Sequence, residues 1–229
     1  MSGILYGVGV GPGDPELMTL KAVRRIQNSE VIAVPGTVPQ ETVAYRIAVQ
    51  AVPELAEKEL VPIPMPMTHD QDELRRNHAQ GAAILERYLD RGQDVAFLTL
   101  GDPTIYSTFT YVQRLVEADG YPTALISGIP SFCAAAARVN APLVAWNEQL
   151  HILPAVHALD EALSGSGNYV LMKSGRKMGQ VKKSLAASGR DVVAVENCGT
   201  EAEKVYHGVD EIPDDAGYYS LIIAKERRA

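Results

Sequence analysis

Two short loops carry the residues with the strongest chemical signals in this chain. In the first loop, glycine alternates at positions 7, 9, 11 and 13 within the segment GVGVGPGDP. In the second, Gly101-Asp102-Pro103 directly follows an apolar run. Glycine allows a backbone to approach a bulky ligand closely, and open α/β sheets bind ligands at the carboxyl ends of their strands. Both loops are therefore candidates for a binding site made of main-chain atoms.

The first loop does not have the residues of a phosphate site. A GxGxxG pattern that starts at Gly7 requires glycine where the chain has Pro12, and one that starts at Gly9 requires it at Asp14. Proline has no N–H to donate, and a carboxylate at a helix start repels an anion. No GK[ST] follows, so a P-loop is absent as well. A tight turn without a ligand and a close approach to a bulky ligand both remain open.

Alternating strands and helices must position these loops. The predicted strands are residues 4–8, 30–34, 94–98, 122–126, 150–153, 169–172, 192–196, 204–207 and 218–224. The first predicted helix starts at Asp14-Pro15 and has apolar residues 17, 20, 23 and 26 at helical spacing. Further helices are predicted at 41–51, 70–91, 105–118, 131–139 and 177–188. Proline at positions 62, 64 and 66 predicts an extended segment over 61–67.

This pattern predicts two α/β domains with mainly parallel sheets and a ligand cleft between them. The N-terminal domain covers residues 1–128 and contains both glycine loops. The C-terminal domain covers residues 129–229 and ends in two antiparallel strands joined by a turn that contains Pro213 and Asp214.

The composition limits the classes of partner. A net charge of -7 disfavours nucleic-acid and anionic-membrane binding, which usually need a basic surface. No apolar run approaches the roughly 20 residues of a membrane helix, and no basic leader begins the chain. Cys133 and Cys198 form no CxxC pair, which argues against a zinc site and fits a reducing compartment. We therefore expect a cytoplasmic protein without a metal of its own.

Together with later segments, the two loops resemble the tetrapyrrole methyltransferase family. That family carries a VGxGPGDPxLLT signature followed further along the chain by a GDP loop. The matching segments here are residues 8–19, 101–103, 127–131, 141–143, 196–199 and 219–223, which cover nearly the whole chain in order. The resemblance implies an enzyme that uses S-adenosylmethionine to methylate a carbon of an anionic tetrapyrrole, with the cofactor in the interdomain cleft.

The sequences of several segments resemble those of the branch that methylates carbon 20 of an early corrin ring. These segments are FLTLGDPTIYSTFTYV at 97–112, Pro66-Met67-Thr68 and SFCAAAAR at 131–138. One form of that branch acts on metal-free precorrin-2, and the other acts on cobalt-factor II. The sequence TLGDPTIYST favours cobalt-factor II as the substrate, and precorrin-2 remains the alternative.

The family pattern also implies the cofactor contacts, and it implies a homodimer. The implied cofactor residues are Pro12, Leu100, Gly101, Asp102, Ile105, Tyr106, Pro130, Ser131, Met172, Asn197, Cys198 and Ser220. Leu100 to Asp102 would hold the amino-acid part through their backbone. Pro130 stands where relatives often have threonine, which favours Ser131 as the polar contact. Cys198 stands where many relatives have glycine, so its backbone is the expected contact.

The substrate carboxylates would need cationic partners. The predicted ones are Lys173, Arg176, Arg75 and Arg138, of which Lys173 and Arg176 are favoured because they follow a strand end. The catalytic base stays unassigned among Tyr106, Asp102, His69 and His78. His151 and His157 are too isolated for a metal site, so any cobalt would belong to the substrate.

Other functions remain open at this stage. Within the family, the chain could methylate another ring position or belong to the diphthine-forming branch. A nicotinamide-dependent oxidoreductase is disfavoured by Pro12 and Asp14. A non-catalytic tetrapyrrole carrier is disfavoured by the cofactor signature in the two loops.

Overall fold

A computed structural model describes residues 2–66, 68, 70–154 and 159–227, apart from the side chain of Arg176. The chain forms two compact units, Met1–Pro130 and Ser131–Ala229. The sequence-predicted boundary after residue 128 falls in the same Gly-Ile-Pro segment. Met67 of the predicted proline segment, His69 and His157 lie outside the described residues.

The first unit is built on a five-stranded parallel sheet with the strand order β3-β2-β4-β1-β5. Its strands are β1 (Leu5–Gly9), β2 (Val31–Pro35), β3 (Glu59–Ile63), β4 (Val95–Thr99) and β5 (Thr123–Ile126). Every residue of β1 and β4 is buried. Helices cover both faces of such a sheet, which is why these strands are continuous apolar runs in the sequence.

Four α-helices cover the two faces of this sheet. On one face lie α1 (Leu20–Asn28) and α2 (Val43–Ala51), and on the other lie α3 (Gln71–Leu89) and α4 (Phe109–Ala118). The neighbouring strands β1 and β4 are followed by α1 and α4, so their connections leave toward opposite faces. Open α/β sheets bind ligands at such a switch point, and both glycine loops start there.

The first helix begins later than the apolar spacing predicted. Asp14 caps only a short 3-10 turn, Pro15–Leu17, by accepting the N–H of Glu16 at 2.8 Å. Thr19 then accepts the N–H of Ala22, so a separate helix begins at Leu20. Leu20 is 75% exposed and does not belong to the core, contrary to the predicted periodicity.

Acidic side chains gather where α3 and α4 end. Burial, followed by the charges of Asp119 and Asp90, raises the pKa of Glu86 above its ordinary value of 4.5. The Oε1 atom of Glu86 is buried without a hydrogen-bond partner among the described residues. Tyr121 donates its hydroxyl to Asp90 at 2.7 Å, and this bond raises the pKa of Tyr121 to about 12. Protonated Glu86 thus favours folding, and its contribution is lost as the pH rises through the folded-state pKa.

Glu86→Gln is therefore expected to raise the melting temperature by a few degrees at pH 8. The neutral amide replaces an ionised carboxylate that burial and Asp119 destabilise. The gain should disappear near pH 4, where the wild-type carboxyl group is protonated. Thermal denaturation at both pH values measures the effect, with exposed Glu57→Gln as the control. An equal gain in the control, or a gain that persists at pH 4, would contradict this explanation.

The second unit contains a mixed sheet with the strand order β6-β7-β10-β8-β9. Its strands are β6 (Leu150–Pro154), β7 (Asn168–Met172), β8 (Asp191–Glu196), β9 (Lys204–His207) and β10 (Ser220–Lys225). Only β6 and β7 are parallel here, whereas β10 is antiparallel to β7 and β8, and β9 is antiparallel to β8. With the four parallel pairings of the first unit, five of eight pairings are parallel. The predicted α/β class is confirmed and the first sheet is parallel as predicted, whereas three of the four pairings between the named strands of the second sheet are antiparallel.

The last two strands do not form the predicted hairpin. β8 lies between β9 and β10 and pairs antiparallel with each of them. Five of the six β10 residues are buried, whereas no residue of β9 is. A strand as apolar as β10 is stable only in the interior of a sheet, and half-exposed β9 suits the edge.

The α-helices in the described part of the second unit are α5 (Ser131–Arg138), α6 (Leu159–Ala162) and α7 (Met178–Ser188). Met178 and Leu185 of α7 pack with Leu171 of β7 and Ile222 of β10 in the core of this unit. None of the helices in the described part of the chain is both long and apolar enough to cross a membrane.

Candidate cofactor site

The two predicted loops contact each other directly through their main chains. Gly11 donates its N–H to the carbonyl of Gly101 at 3.3 Å, and Gly101 donates its N–H to the carbonyl of Gly11 at 2.8 Å. Both residues have left-handed backbones, with φ of 78° and 70°, which disfavour any residue with a side chain. A ligand would therefore meet Gly101 by close approach, because its N–H is already used within the protein.

A third loop, which follows β5, meets the first two. A Cβ atom on Gly128 would lie 2.1 Å from the carbonyl oxygen of Gly101 and 2.9 Å from the backbone of Gly9. A Cβ atom on Gly9 would lie 2.6 Å from the same oxygen. Backbone atoms cannot move aside as the end of a flexible side chain can. The three loops can therefore meet only if positions 9 and 128 are both glycine. From the sequence, Gly128 was expected only to end the first domain and to belong to the matching segment 127–131, without a role in this contact.

Asp102 fastens the loop after β4 to the loop after β5. Its side chain is buried, and its Oδ1 accepts the N–H of Thr104 at 2.8 Å and the hydroxyl of Thr104 at 2.5 Å. Its Oδ2 accepts the N–H of Gly128 at 3.0 Å. A buried carboxylate needs such donors to replace its lost hydration. Since both oxygens are engaged, Asp102 has a structural role in this site and is poorly placed to take a proton from a substrate.

The sequence predicted a helix from residue 105, but this prediction is wrong. In the structure, α4 begins only at Phe109. The hydroxyl of Ser107 lies 2.9 Å from that of Thr99 and accepts the N–H of Phe109, where α4 begins. Tyr106 precedes this cap with φ of 49° and is 43% exposed, and Ile105 is half-buried. A left-handed tyrosine is strained, and such strain is concentrated at ligand sites.

Pro12 is buried between Gly11 and Gly13 at the turn after β1. At the start of the 3-10 turn, Pro15 has no N–H, and the N–H of Glu16 is taken by the Asp14 carboxylate. Anion sites at helix starts depend on unoccupied N–H groups. This turn is therefore suited to a nucleoside without phosphate rather than to a dinucleotide.

In the second unit, four further predicted residues lie at one edge of the sheet. β7 ends at Met172, β8 ends just before Asn197 and Cys198, and β10 begins at Ser220 between those two strands. Ser220 is buried and donates its hydroxyl to the carbonyl of Gly217 at 2.8 Å. Cys198 is also buried, and a cofactor contact through its backbone remains a prediction.

The four predicted substrate-binding cations differ in their surroundings. Arg75 forms an ion pair with Asp72 on the exposed surface of α3, and Arg138 forms one with Glu203. Lys173 follows β7 with a left-handed backbone, φ of 60°. Arg176 lies in the 3-10 turn Gly175–Lys177. The pairing of Arg138 indicates a role in supporting its own unit, which the sequence analysis did not anticipate.

Another candidate base, His78, stacks on Tyr111 with ring centroids 4.9 Å apart. Burial lowers the pKa of His78, so the ring is favoured in its neutral form. Stacking on a neighbouring helix indicates a packing role. Among the residues that the structure describes, no group of three or more His, Cys, Asp or Glu could hold a metal ion.

Sequence reasoning did not identify two residues that shape these loops, Ser107 and Glu203. A serine two residues before the apolar helix that starts at Phe109 is a recognisable cap signal for Ser107. No local pattern marks Glu203, because its partners include Arg138, which is distant in the sequence.

The first unit presents a surface of glycine backbone at the switch point of a parallel sheet, and its first loop is not suited to bind phosphate. These two features are typical of an α/β protein that binds a nucleoside-type ligand. The chain belongs to the tetrapyrrole (corrin/porphyrin) methylases, whose family model matches residues 4–211. The resemblance seen in the motifs is confirmed, and the protein is a C-methyltransferase of tetrapyrrole biosynthesis. Tetrapyrrole methylases use S-adenosylmethionine, as expected from the sequence. The oxidoreductase and carrier alternatives are set aside.

Relatives that match almost the whole chain include two that are named for methylation at C(20). A probable cobalt-precorrin-2 C(20)-methyltransferase of Methanocaldococcus jannaschii is 36% identical over 227 residues, which cover 96% of this chain and 95% of the relative. A precorrin-2 C(20)-methyltransferase of Sinorhizobium sp is 29% identical, with 97% of each chain covered.

A solved structure has the same fold. The uroporphyrin-III C-methyl transferase from Thermus thermophilus, complexed with S-adenyl homocysteine, superposes with a TM-score of 0.74 at 22% identity. The superposition covers 98% of both chains.

Proposed function

We propose that this enzyme methylates carbon 20 of cobalt-factor II, the cobalt-containing substrate on the anaerobic route to cobalamin. The observation that carries the proposal is the 36% identity to a probable cobalt-precorrin-2 C(20)-methyltransferase across 96% of the chain. A relative named for metal-free precorrin-2 is 29% identical and another named for the cobalt form is 27% identical, so the preference for cobalt rests on the first relative and on the TLGDPTIYST sequence. Precorrin-2 and another ring position are the alternatives.

S-adenosylmethionine supplies a methyl group that its sulfonium already activates for transfer to a nucleophilic carbon. The chain therefore needs to provide alignment, with the reacting atoms roughly 3–3.5 Å apart and in line. In the first unit, the bonds between Gly11 and Gly101 and between Asp102 and Gly128 make a rigid surface for this purpose. Pro12, Leu100, Ile105, Tyr106 and Pro130 flank this surface and complete the proposed contacts of the first unit.

In the second unit, we assign the adenine part of the cofactor to the sheet edge formed by Met172, Asn197, Cys198 and Ser220, with Ser131 as a further contact. The apolar Met172 side chain and the backbone polar groups after β8 suit a neutral, flat ring. For the substrate carboxylates, Lys173 and Arg176 remain the preferred cations because they follow β7 at this same edge.

Labelled methyl transfer tests the assignment directly. The purified protein would be incubated with methyl-13C S-adenosylmethionine and either cobalt-factor II or precorrin-2. The label would be located by NMR, after conversion of the cobalt product to a diamagnetic cobalt(III) form. We expect label at carbon 20 and faster turnover of the cobalt substrate. Label at another carbon would refute the ring position, and turnover of precorrin-2 alone would refute the cobalt form.

We also propose a cytoplasmic homodimer. Light scattering coupled to size-exclusion chromatography would measure the molar mass, for which a dimer of the 24.7 kDa chain is expected. A monomer at micromolar concentration would contradict the proposed dimer without affecting the proposed activity.

A further inference from the structure

One carboxylate organises the loop that carries Asn197 and Cys198. Glu203 accepts the N–H of Gly199 at 2.8 Å through Oε2, and it accepts the Nε–H of Arg138 through Oε1. The thiol of Cys198 lies near this carboxylate, whose negative charge acts on the thiol pKa. Glu203 thus binds Gly199 and Arg138 by hydrogen bonds and interacts electrostatically with Cys198, and both Gly199 and Cys198 lie inside the loop between β8 and β9.

The loop needs such a partner because its backbone is strained. Asn197 has φ of 52° and Gly199 has φ of 78°, so two left-handed residues flank Cys198. A left-handed non-glycine residue costs free energy and persists only where its surroundings hold it. Asn197 is anchored by its N–H, which donates to the carbonyl of Tyr219 at 3.2 Å beside the start of β10.

We propose that Glu203 is a positioning residue for the cofactor and that Arg138 acts with it. The pair holds Asn197, Cys198 and Gly199 in the conformation that presents their backbone to the adenine part of S-adenosylmethionine. The inference rests on the proposed cofactor site of the second unit. It also gives Arg138 a role different from the substrate binding that the sequence analysis expected.

The electrostatics of the cluster agree with this geometry. Burial opposes ionisation of Glu203, but the Gly199 N–H and Arg138 outweigh it and lower the pKa of the carboxyl group. Burial, followed by the charge of Glu203, raises the pKa of the Cys198 thiol to about 11. Glu203 therefore stays ionised and Cys198 stays a neutral thiol at physiological pH.

Glu203→Gln tests the proposal while keeping the shape of the side chain. The amide oxygen can still accept the bond of one partner, but the amide nitrogen cannot accept the bond of the other, either Gly199 or Arg138. We expect the Kd for S-adenosylhomocysteine, measured by calorimetry, to rise about tenfold. Glu201→Gln, an exposed glutamate in the same loop, is the matched control and should bind as tightly as the wild type.

A second measurement reports on the loop without any ligand. In a Cys133→Ser background, NMR of 13C-labelled cysteine follows Cys198 alone, and Glu203→Gln should lower the thiol pKa because it removes a neighbouring negative charge. If Glu203→Gln does not fold, Arg138→Gln, whose side chain is 58% exposed, should still weaken binding by about threefold.

The outcomes separate this inference from the proposed function. Wild-type protein that fails to bind S-adenosylhomocysteine would refute the cofactor assignment itself. If the wild type binds and Glu203→Gln binds with the same affinity, the positioning role alone would be overturned. Where only Arg138→Gln folds, unchanged affinity in that variant would have the same meaning. A lowered Cys198 pKa with unchanged affinity would show that Glu203 shapes the loop but not the cofactor site, which also rejects the proposal.

Discussion

Gly128→Ala is expected to abolish binding of S-adenosylhomocysteine while leaving most of the fold in place. The new Cβ would lie 2.1 Å from the carbonyl oxygen of Gly101, so the loop after β5 must move away from the other two loops. Forcing atoms into packed space costs about 1–3 kcal/mol, which corresponds to a melting temperature lower by roughly 2–12 °C in a chain of this size. Calorimetric titration and thermal denaturation of the same preparation measure the two effects.

The matched control for this variant is Gly179→Ala. A Cβ atom on Gly179, in α7, would have no heavy atom within 4 Å. Because alanine is favoured over glycine inside a helix, the control should gain up to about 1 kcal/mol of stability and keep its affinity for S-adenosylhomocysteine. Binding by Gly128→Ala at wild-type strength would show that the meeting of the three loops does not matter for the cofactor.

Asp102→Asn is expected to have the second largest effect. The amide has the same shape as the carboxylate, but its nitrogen must face either the N–H of Gly128 or the donors of Thr104. A lost hydrogen bond to a charged group in a buried site costs about 1.5–3 kcal/mol, so the melting temperature should fall by roughly 3–12 °C. The Kd for S-adenosylhomocysteine should rise at least about tenfold, because the second and third loops separate.

Asp14→Asn is the control for the carboxylate. Asp14 also accepts a backbone N–H in the first loop, that of Glu16, but asparagine caps a helix start equally well. Stability and affinity should therefore remain close to wild type. If Asp102→Asn behaved like Asp14→Asn, the carboxylate of Asp102 would not be needed to hold the loops.

The sequence was sufficient to find the two glycine loops and to place them after neighbouring buried strands. Apolar runs identify buried parallel strands, and glycine at positions 11 and 101 signals a backbone that side chains would strain. The sequence also identified Met172 and Ser220 as candidate cofactor contacts, and the order of strands brings them to the same end of the second sheet. Whether these residues contact the cofactor remains a prediction.

What the sequence could not provide depends on contacts between distant residues. The bond between Asp102 and Gly128 and the ion pair between Arg138 and Glu203 leave no local pattern. Helix starts were misplaced where a second cap residue, Thr19 or Ser107, interrupts an apolar repeat. In both places a polar side chain outcompeted hydrophobic periodicity, which specifies a helix face better than a helix boundary.

The central position of β10 has a consequence for how the protein is made. On the ribosome, the five strands of the first sheet have all been translated by residue 126, whereas β10 follows every other strand of its own sheet. Until residues 220–225 emerge, β7 and β8 lack the strand that joins them, and the N–H and C=O groups along the edges that pair with β10 stay unpaired. The second unit should thus complete its sheet only after residue 225 has been made, and until then these strand edges are open to wrong pairing.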